Sequence, residues 1–192
     1  MERIKKIIEA NLTGKKVLLL FVLTNVVYAI MLMVTIPKTM TFSNGMKLLD
    51  MMPTGYHSEY INSLFEALGE NGRQAYLYGQ LPVDMIYPFL FGITYCLMFG
   101  YFLKKINKLS SALFYLCFLP VIAGIADYLE NFGIITMLNN YPDLSQTSMN
   151  ATNYFSIVKS MTTTVFFIAL IIILLMLGIK TMKERKTSAN TV

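Results

Sequence analysis

Asp84, Asp127, Glu130 and Lys159 are ionisable side chains set inside, or at the rim of, stretches of sequence that are otherwise apolar. In an apolar medium a charge is costly, and it is tolerated where it faces a bundle interior or a wet cavity and finds a partner. Three carboxyls and one ammonium suit three kinds of chemistry. They can bind a cation or a proton, they can act as paired general acid and base, or they can simply pin helices together. Asp127 and Glu130 are three residues apart, so a helix places both on one face.

If all four groups are ionised, three negative charges face one positive charge, an imbalance that a low-dielectric setting penalises. Protons held by a carboxyl, a bound cationic ligand, or Arg73 folding down from the preceding loop would each compensate. Arg73 reaches Asp84 only if the chain bends at Pro82. Tyr87 and Tyr128 lie close enough in sequence to assist an acid–base pair. Asn131 extends the Asp127–Glu130 face. The candidate pocket residues are thus Asp84, Asp127, Glu130, Asn131, Lys159, Tyr87 and Arg73.

Other reactive residues carry less. His57 is the single histidine, too little for a zinc site, which takes several His or Cys ligands. The carboxylates lack the ligand loop of a Ca²⁺ site. Ser156 and Ser160 have no neighbouring His to activate them. Cys96 and Cys117 fall in separate apolar stretches without a C-x-x-C spacing, as small apolar fillers do. Neither a metal nor a cofactor is expected.

The elements that must position these groups are apolar. The chain has 192 residues, 55% of them hydrophobic and 14% charged, and its mean hydropathy is +0.55. That is too apolar for an ordinary soluble domain. Four stretches, about 16–37, 81–103, 111–138 and 154–179, approach or exceed the ~20 residues needed to cross a bilayer. The expected fold is an all-α membrane protein, a four-transmembrane-helix bundle forming one domain over 1–186, with a loose tail at 187–192.

The net charge of +5 does not point to nucleic acid, because the basic residues are grouped by side. Arg3, Lys5, Lys6, Lys15 and Lys16 precede the first stretch. Lys104, Lys105 and Lys108 separate the second from the third, and Lys180, Lys183, Arg185 and Lys186 follow the fourth. In an even-numbered bundle these places share one side. The positive-inside rule then puts both termini in the cytoplasm of a multi-pass cell-membrane protein. The abundance of Met, Ile, Lys and Asn suggests a bacterial source.

Within the segments, residues 1–14 have the single apolar stripe of an interfacial helix. Thr24, Asn25 and Tyr28 share a face of the first span, which Pro37 is expected to end. The outer loop 38–80 is long enough to need structure of its own. Tyr56, Tyr60, Ile61, Leu64, Phe65 and Leu68 recur there at helical spacing, from Pro53 to Gly69. An amphipathic helix on the outer surface follows, its polar face carrying His57, Glu59, Asn62 and Glu66. Pro82 and Pro88 predict an irregular backbone beside Asp84. In the third span, Pro120, Ala123, Gly124, Asp127, Glu130, Asn131 and Ile134 form one small-and-polar stripe that must face protein. Ser156, Lys159, Ser160 and Thr163 do the same in the fourth.

The charged groups all fall in the outer halves of their spans, so an outward-opening pocket is expected. Small-molecule or lipid binding, a transport-related role or an accessory-subunit role follows from it. The alternative is an intramembrane enzyme that uses Asp/Glu acid–base chemistry on a lipid or isoprenoid. The expected partners are membrane lipids, a lipophilic or cationic small molecule, or another membrane protein.

Overall fold

The computed structural model describes residues 2–189. It is all-helical, with 84% of residues in helix and no strand among those described. Four helical stretches, Gly14–Met40, Ser58–Lys105, Ala112–Asn140 and Gln146–Glu184, are long and apolar enough to cross a membrane. The individual helices are α1 Glu2–Asn11, α2 Gly14–Ile30, α3 Ile36–Met40, α4 Ser58–Ala75, α5 Leu81–Asp84, α6 Tyr87–Lys105, α7 Leu119–Asn140 and α8 Gln146–Ala189. Of the tail expected over 187–192, residues 190–192 lie outside the described residues.

Proline positions account for most of the irregular backbone. Pro37 does not end the first long helix. A π-helical turn over Met31–Thr35 precedes it, and the helix continues as α3 to Met40. The wider turn absorbs the hydrogen bond that proline cannot donate. The second stretch begins well before residue 81. α4 is interrupted at Gly69, whose φ of 56° is open to glycine at little cost, and it runs through a second π-helical turn, Tyr76–Gln80, into α5. Met85 and Ile86 form a turn before α6, so Pro82 and Pro88 both fall in the first turns of helices, where a missing N–H is harmless. A 3-10 segment, Ala112–Phe118, begins the third stretch. Ser111 caps it, and Pro120 then opens α7.

The four stretches pack in chain order. α2 lies on α6, α6 on α7, and α7 on α8, with α6 also touching α8. The ring is not closed: α2 and α8 are at most in marginal contact. Close approach of α6 and α7 depends on Gly124, where a Cβ would sit 2.7 Å from the Pro88 carbonyl oxygen. Lys104 and Lys105 end α6, where positive charge suits the helix dipole.

Two apolar cores form, one towards each end. The core at the basic end joins Ile8 and Leu12 of α1 to Phe99, Leu103, Phe114, Cys117, Phe166 and Ile173. The opposite core joins Ile36, Leu48, Leu49, Ile61, Leu64, Phe65, Tyr76 and Ile134. The helix expected around 54–68 is therefore real and amphipathic. Its apolar stripe, with Ile61, Leu64 and Phe65 fully buried, is covered by protein, while His57, Glu59, Asn62 and Glu66 are exposed. Outward-facing positions of α2 and α8 are strongly apolar, as Leu19 at 69% and Leu175 at 63% exposure illustrate.

Candidate functional site

Between the two cores lies a layer of buried polar side chains. The α7 stripe from Pro120 to Ile134 is buried along its whole length. Asp127 and Glu130 project from it towards α8, where Lys159 answers both. Lys159 Nζ lies 3.2 Å from Asp127 Oδ1 and 2.5 Å from Glu130 Oε2. This is a three-centre ion cluster with little exposure, and Glu130 has none. Glu130 Oε1 and both amide atoms of Asn131 have no hydrogen-bond partner among the described residues.

Asp84 joins the layer from the end of α5, directly before the Met85–Ile86 turn. It is 3% exposed, and its Oδ2 has no hydrogen-bond partner among the described residues. Its electrostatic neighbours are Asp127, Asp50, Lys159 and Glu130. Acids from separate segments thus converge on one ammonium. A buried carboxylate oxygen without a donor is costly, and Asp84 Oδ2 shares that state with Glu130 Oε1, the Asn131 amide and the Tyr56 hydroxyl.

A cavity of about 460 Å³ opens beside these groups. Asp50, Asp84, Asp127 and Lys159 form its charged part, with Ser160, Thr163 and Thr164 along α8. Tyr28, Met31, Leu32, Ile36, Met51, Pro53, Tyr87, Phe91 and Ala123 supply the rest of the wall, most of it apolar. Tyr28 and Tyr87 stack with centroids 5.3 Å apart, and Tyr87 continues into Phe91 and Tyr95, making a band of ring faces next to the acids. Such faces attract cations as well as apolar groups.

Of the residues named from sequence, Asp84, Asp127, Lys159 and Tyr87 line the cavity. Glu130 is bound to it through Lys159. Asn131 is fully buried but is not part of the cavity wall. Arg73 stands apart. Its Nη1 donates to the Phe65 carbonyl at 2.8 Å, and its guanidinium lies 4.4 Å from the Tyr141 ring centroid. It fastens α4 rather than offsetting the acids.

Asp50 is a cavity acid absent from the residues named on sequence grounds. It sits in the 3-10 turn Leu49–Met51 and is held by Tyr76, whose hydroxyl donates to Oδ1 at 2.6 Å, and by Gln80 Nε2 at 3.1 Å. Thr35 in turn donates to Gln80 Oε1. The available signal was an acid flanked by Leu48, Leu49, Met51 and Met52. That environment is unusual for an exposed loop, and Leu48 and Leu49 are in fact fully buried.

The loop reaches the cavity because α8 holds it. The Tyr56 amide donates to Asn153 Oδ1 at 2.7 Å, and Ser156 Oγ donates to the Met52 carbonyl at 3.3 Å. Burial, followed by the charge of Glu130, pushes the Tyr56 phenol above its ordinary range, so it stays a neutral donor. Among the described residues, no group of three or more His, Cys, Asp or Glu is arranged to hold a metal ion. The chain matches no family model, no curated protein and no solved structure.

Proposed function

We propose that the chain is a multi-pass cell-membrane protein, with both termini in the cytoplasm, whose cavity binds a small amphiphilic molecule carrying a cationic group. Four carboxyls, Asp50, Asp84, Asp127 and Glu130, act around one ammonium, and Asp84, which lines the cavity, has a buried oxygen without a donor. That unanswered oxygen is the observation on which the reading rests. A ligand ammonium would supply both the missing positive charge and the missing hydrogen bond. The volume and the largely apolar wall suit a small organic molecule rather than a bare ion.

Membrane insertion is supported by the apolar outer faces of α2 and α8, since contiguous apolar surface of this kind is withdrawn from water by lipid or by another protein. Depth supports the site's position. Asp84, Lys159 and Ile36 each lie about 20 residues, or roughly 30 Å, from the nearest basic belt at Lys104, Lys180 and Lys16, which is the thickness of the hydrocarbon layer. The charged layer would then lie where acyl chains give way to headgroups on the outer side. There α4 forms a cover at the interface.

The test is alkylammonium binding by the purified full chain in lipid nanodiscs, followed by titration calorimetry with butylammonium. Asp84→Asn should weaken binding at least tenfold, about 1.4 kcal/mol. Unchanged binding in that variant would overturn the assignment.

A second reading is favoured by one specific contrast. Asp127 is ion-paired, whereas Asp84, in the same cavity, is not. Two carboxyls in unequal environments are the arrangement that general acid–base catalysis uses. On this reading the protein isomerises or hydrolyses a lipid or isoprenoid, with Tyr87 assisting. Lipid profiles of cells with and without the gene would then differ in one species, and identical profiles would dismiss it.

A further inference from the structure

The cavity is largely covered at one end, where Pro53 alone of its lining is exposed, and open along one side. At the end away from the basic belts, the 48–57 loop and α4 cover the polar layer. Leu48, Leu49, Ile61 and Phe65 are wholly buried there, and Tyr56 is 4% exposed. The loop is tied to α8 through Asn153 and Ser156. The side is different. The ring of helices is unclosed between α2 and α8, and the cavity is lined from both of them.

Tyr28 on α2, Leu32 in the π-helical turn that follows it, Thr164 on α8 and, at the loop end, Pro53 line the cavity and are themselves exposed. They therefore mark its mouth. On the first long stretch, Gly14–Met40, Tyr28 and Leu32 lie about 12–18 Å below the end at Met40, at the level of the apolar belt rather than of the loops. Beside them stand Met33, Met161, Val165 and Ile168, all exposed apolar side chains. An opening with such lips faces acyl chains, not water.

We propose that the ligand is an amine-bearing, single-chain amphiphile drawn from the outer leaflet, which enters sideways between α2 and α8. Its ammonium reaches Asp84 and Asp127 while its chain stays in the slot between Tyr28, Leu32 and Thr164. The inference rests on the binding role proposed above and adds the route and the substrate class. Charge complementarity selects the headgroup, because the acids outnumber the single ammonium. The lateral mouth selects the tail, because a water-soluble cation would have no use for an apolar slot. Relative to the free amine in water, each methylene held in the slot against Leu32 and Met31 strengthens binding by roughly fourfold.

The experiment compares dodecylammonium with butylammonium in nanodiscs of a zwitterionic lipid, with both amines expressed as free aqueous concentrations. Wild-type protein should bind the long chain at least tenfold more tightly. Leu32→Trp and Thr164→Trp, on opposite lips, should each weaken dodecylammonium at least tenfold more than they weaken butylammonium. Both positions are exposed, so the added ring meets no packed core, and the wild-type chain-length comparison stands without either variant. Equal affinity for the two amines, or Trp variants that bind dodecylammonium normally, would overturn lateral entry while leaving the pocket assignment intact. The slot would then be a seat for a partner's helix. Loss of both amines on Asp84→Asn, with the chain-length preference present in wild type, supports both readings. Binding of neither amine by the wild type overturns both.

Discussion

Lys159 and Asp84 illustrate opposite consequences of burying a charge. Lys159 serves two acids at once, so Lys159→Met leaves Asp127 and Glu130 facing one another without a counter-charge. Breaking a buried pair in this way costs roughly 3 kcal/mol or more. The expected outcome is a thermal midpoint in detergent several degrees below wild type, with Lys159→Arg much less affected. Asp84 has no such partner, and Asp84→Asn removes charge from an already crowded set of acids. Its midpoint should stay level or rise even as amine binding falls. Opposite signs for these two variants distinguish a site built for a ligand from a structural clasp, in which both would destabilise. Residue types and spacing made much of this visible in the sequence, because acids at positions 84, 127 and 130 stand out against apolar neighbours. Asp50 did not stand out as clearly. Its role depends on Tyr76 and Gln80, contacts between segments far apart in the chain.

Elements meet at this site because particular backbones come close. Gly124 of α7 faces the Pro88 carbonyl so closely that a methyl group there would force the helices apart. Gly124→Ala should cost about 1–3 kcal/mol by overpacking. Gly92→Ala, whose added carbon would meet only ordinary contacts at 3.5 Å, should cost less. Thermal unfolding of the pair measures the difference, and an equal loss would show that the α6–α7 distance is not set at Gly124. The stripe on α7 and the amphipathic pattern of α4 were legible because helical periodicity is a local property. The π-helical turns were not. Pro37 carries an ordinary stop signal, and whether a wider turn absorbs it depends on packing of Met31 and Ile36 into the core beyond the polar layer. Arg73 was misleading for a similar reason, since charge alone does not disclose that the Tyr141 ring holds it.

At the level of the whole molecule, the grouping of basic residues sets an expected orientation that cysteine labelling can check. With Cys96 and Cys117 replaced by Ala, a membrane-impermeant maleimide added to intact cells should label Glu66→Cys and spare Ser110→Cys, both sites being exposed. The reverse pattern would place the covered end of the cavity in the cytoplasm. Four apolar stretches were enough to anticipate an all-helical bundle. The open side between α2 and α8 was beyond any one-dimensional pattern, because it depends on which helices are neighbours. One further consequence comes from α8, a single helix of 44 residues, about 66 Å of continuous rod. It holds the 48–57 loop at Asn153, carries Lys159 in the charged layer, and at its far end donates from Lys180 to the Lys105 carbonyl. No hinge separates these points. On the proposed reading, any tilt imposed where the amine docks is therefore delivered, as leverage, to the opposite end of the bundle.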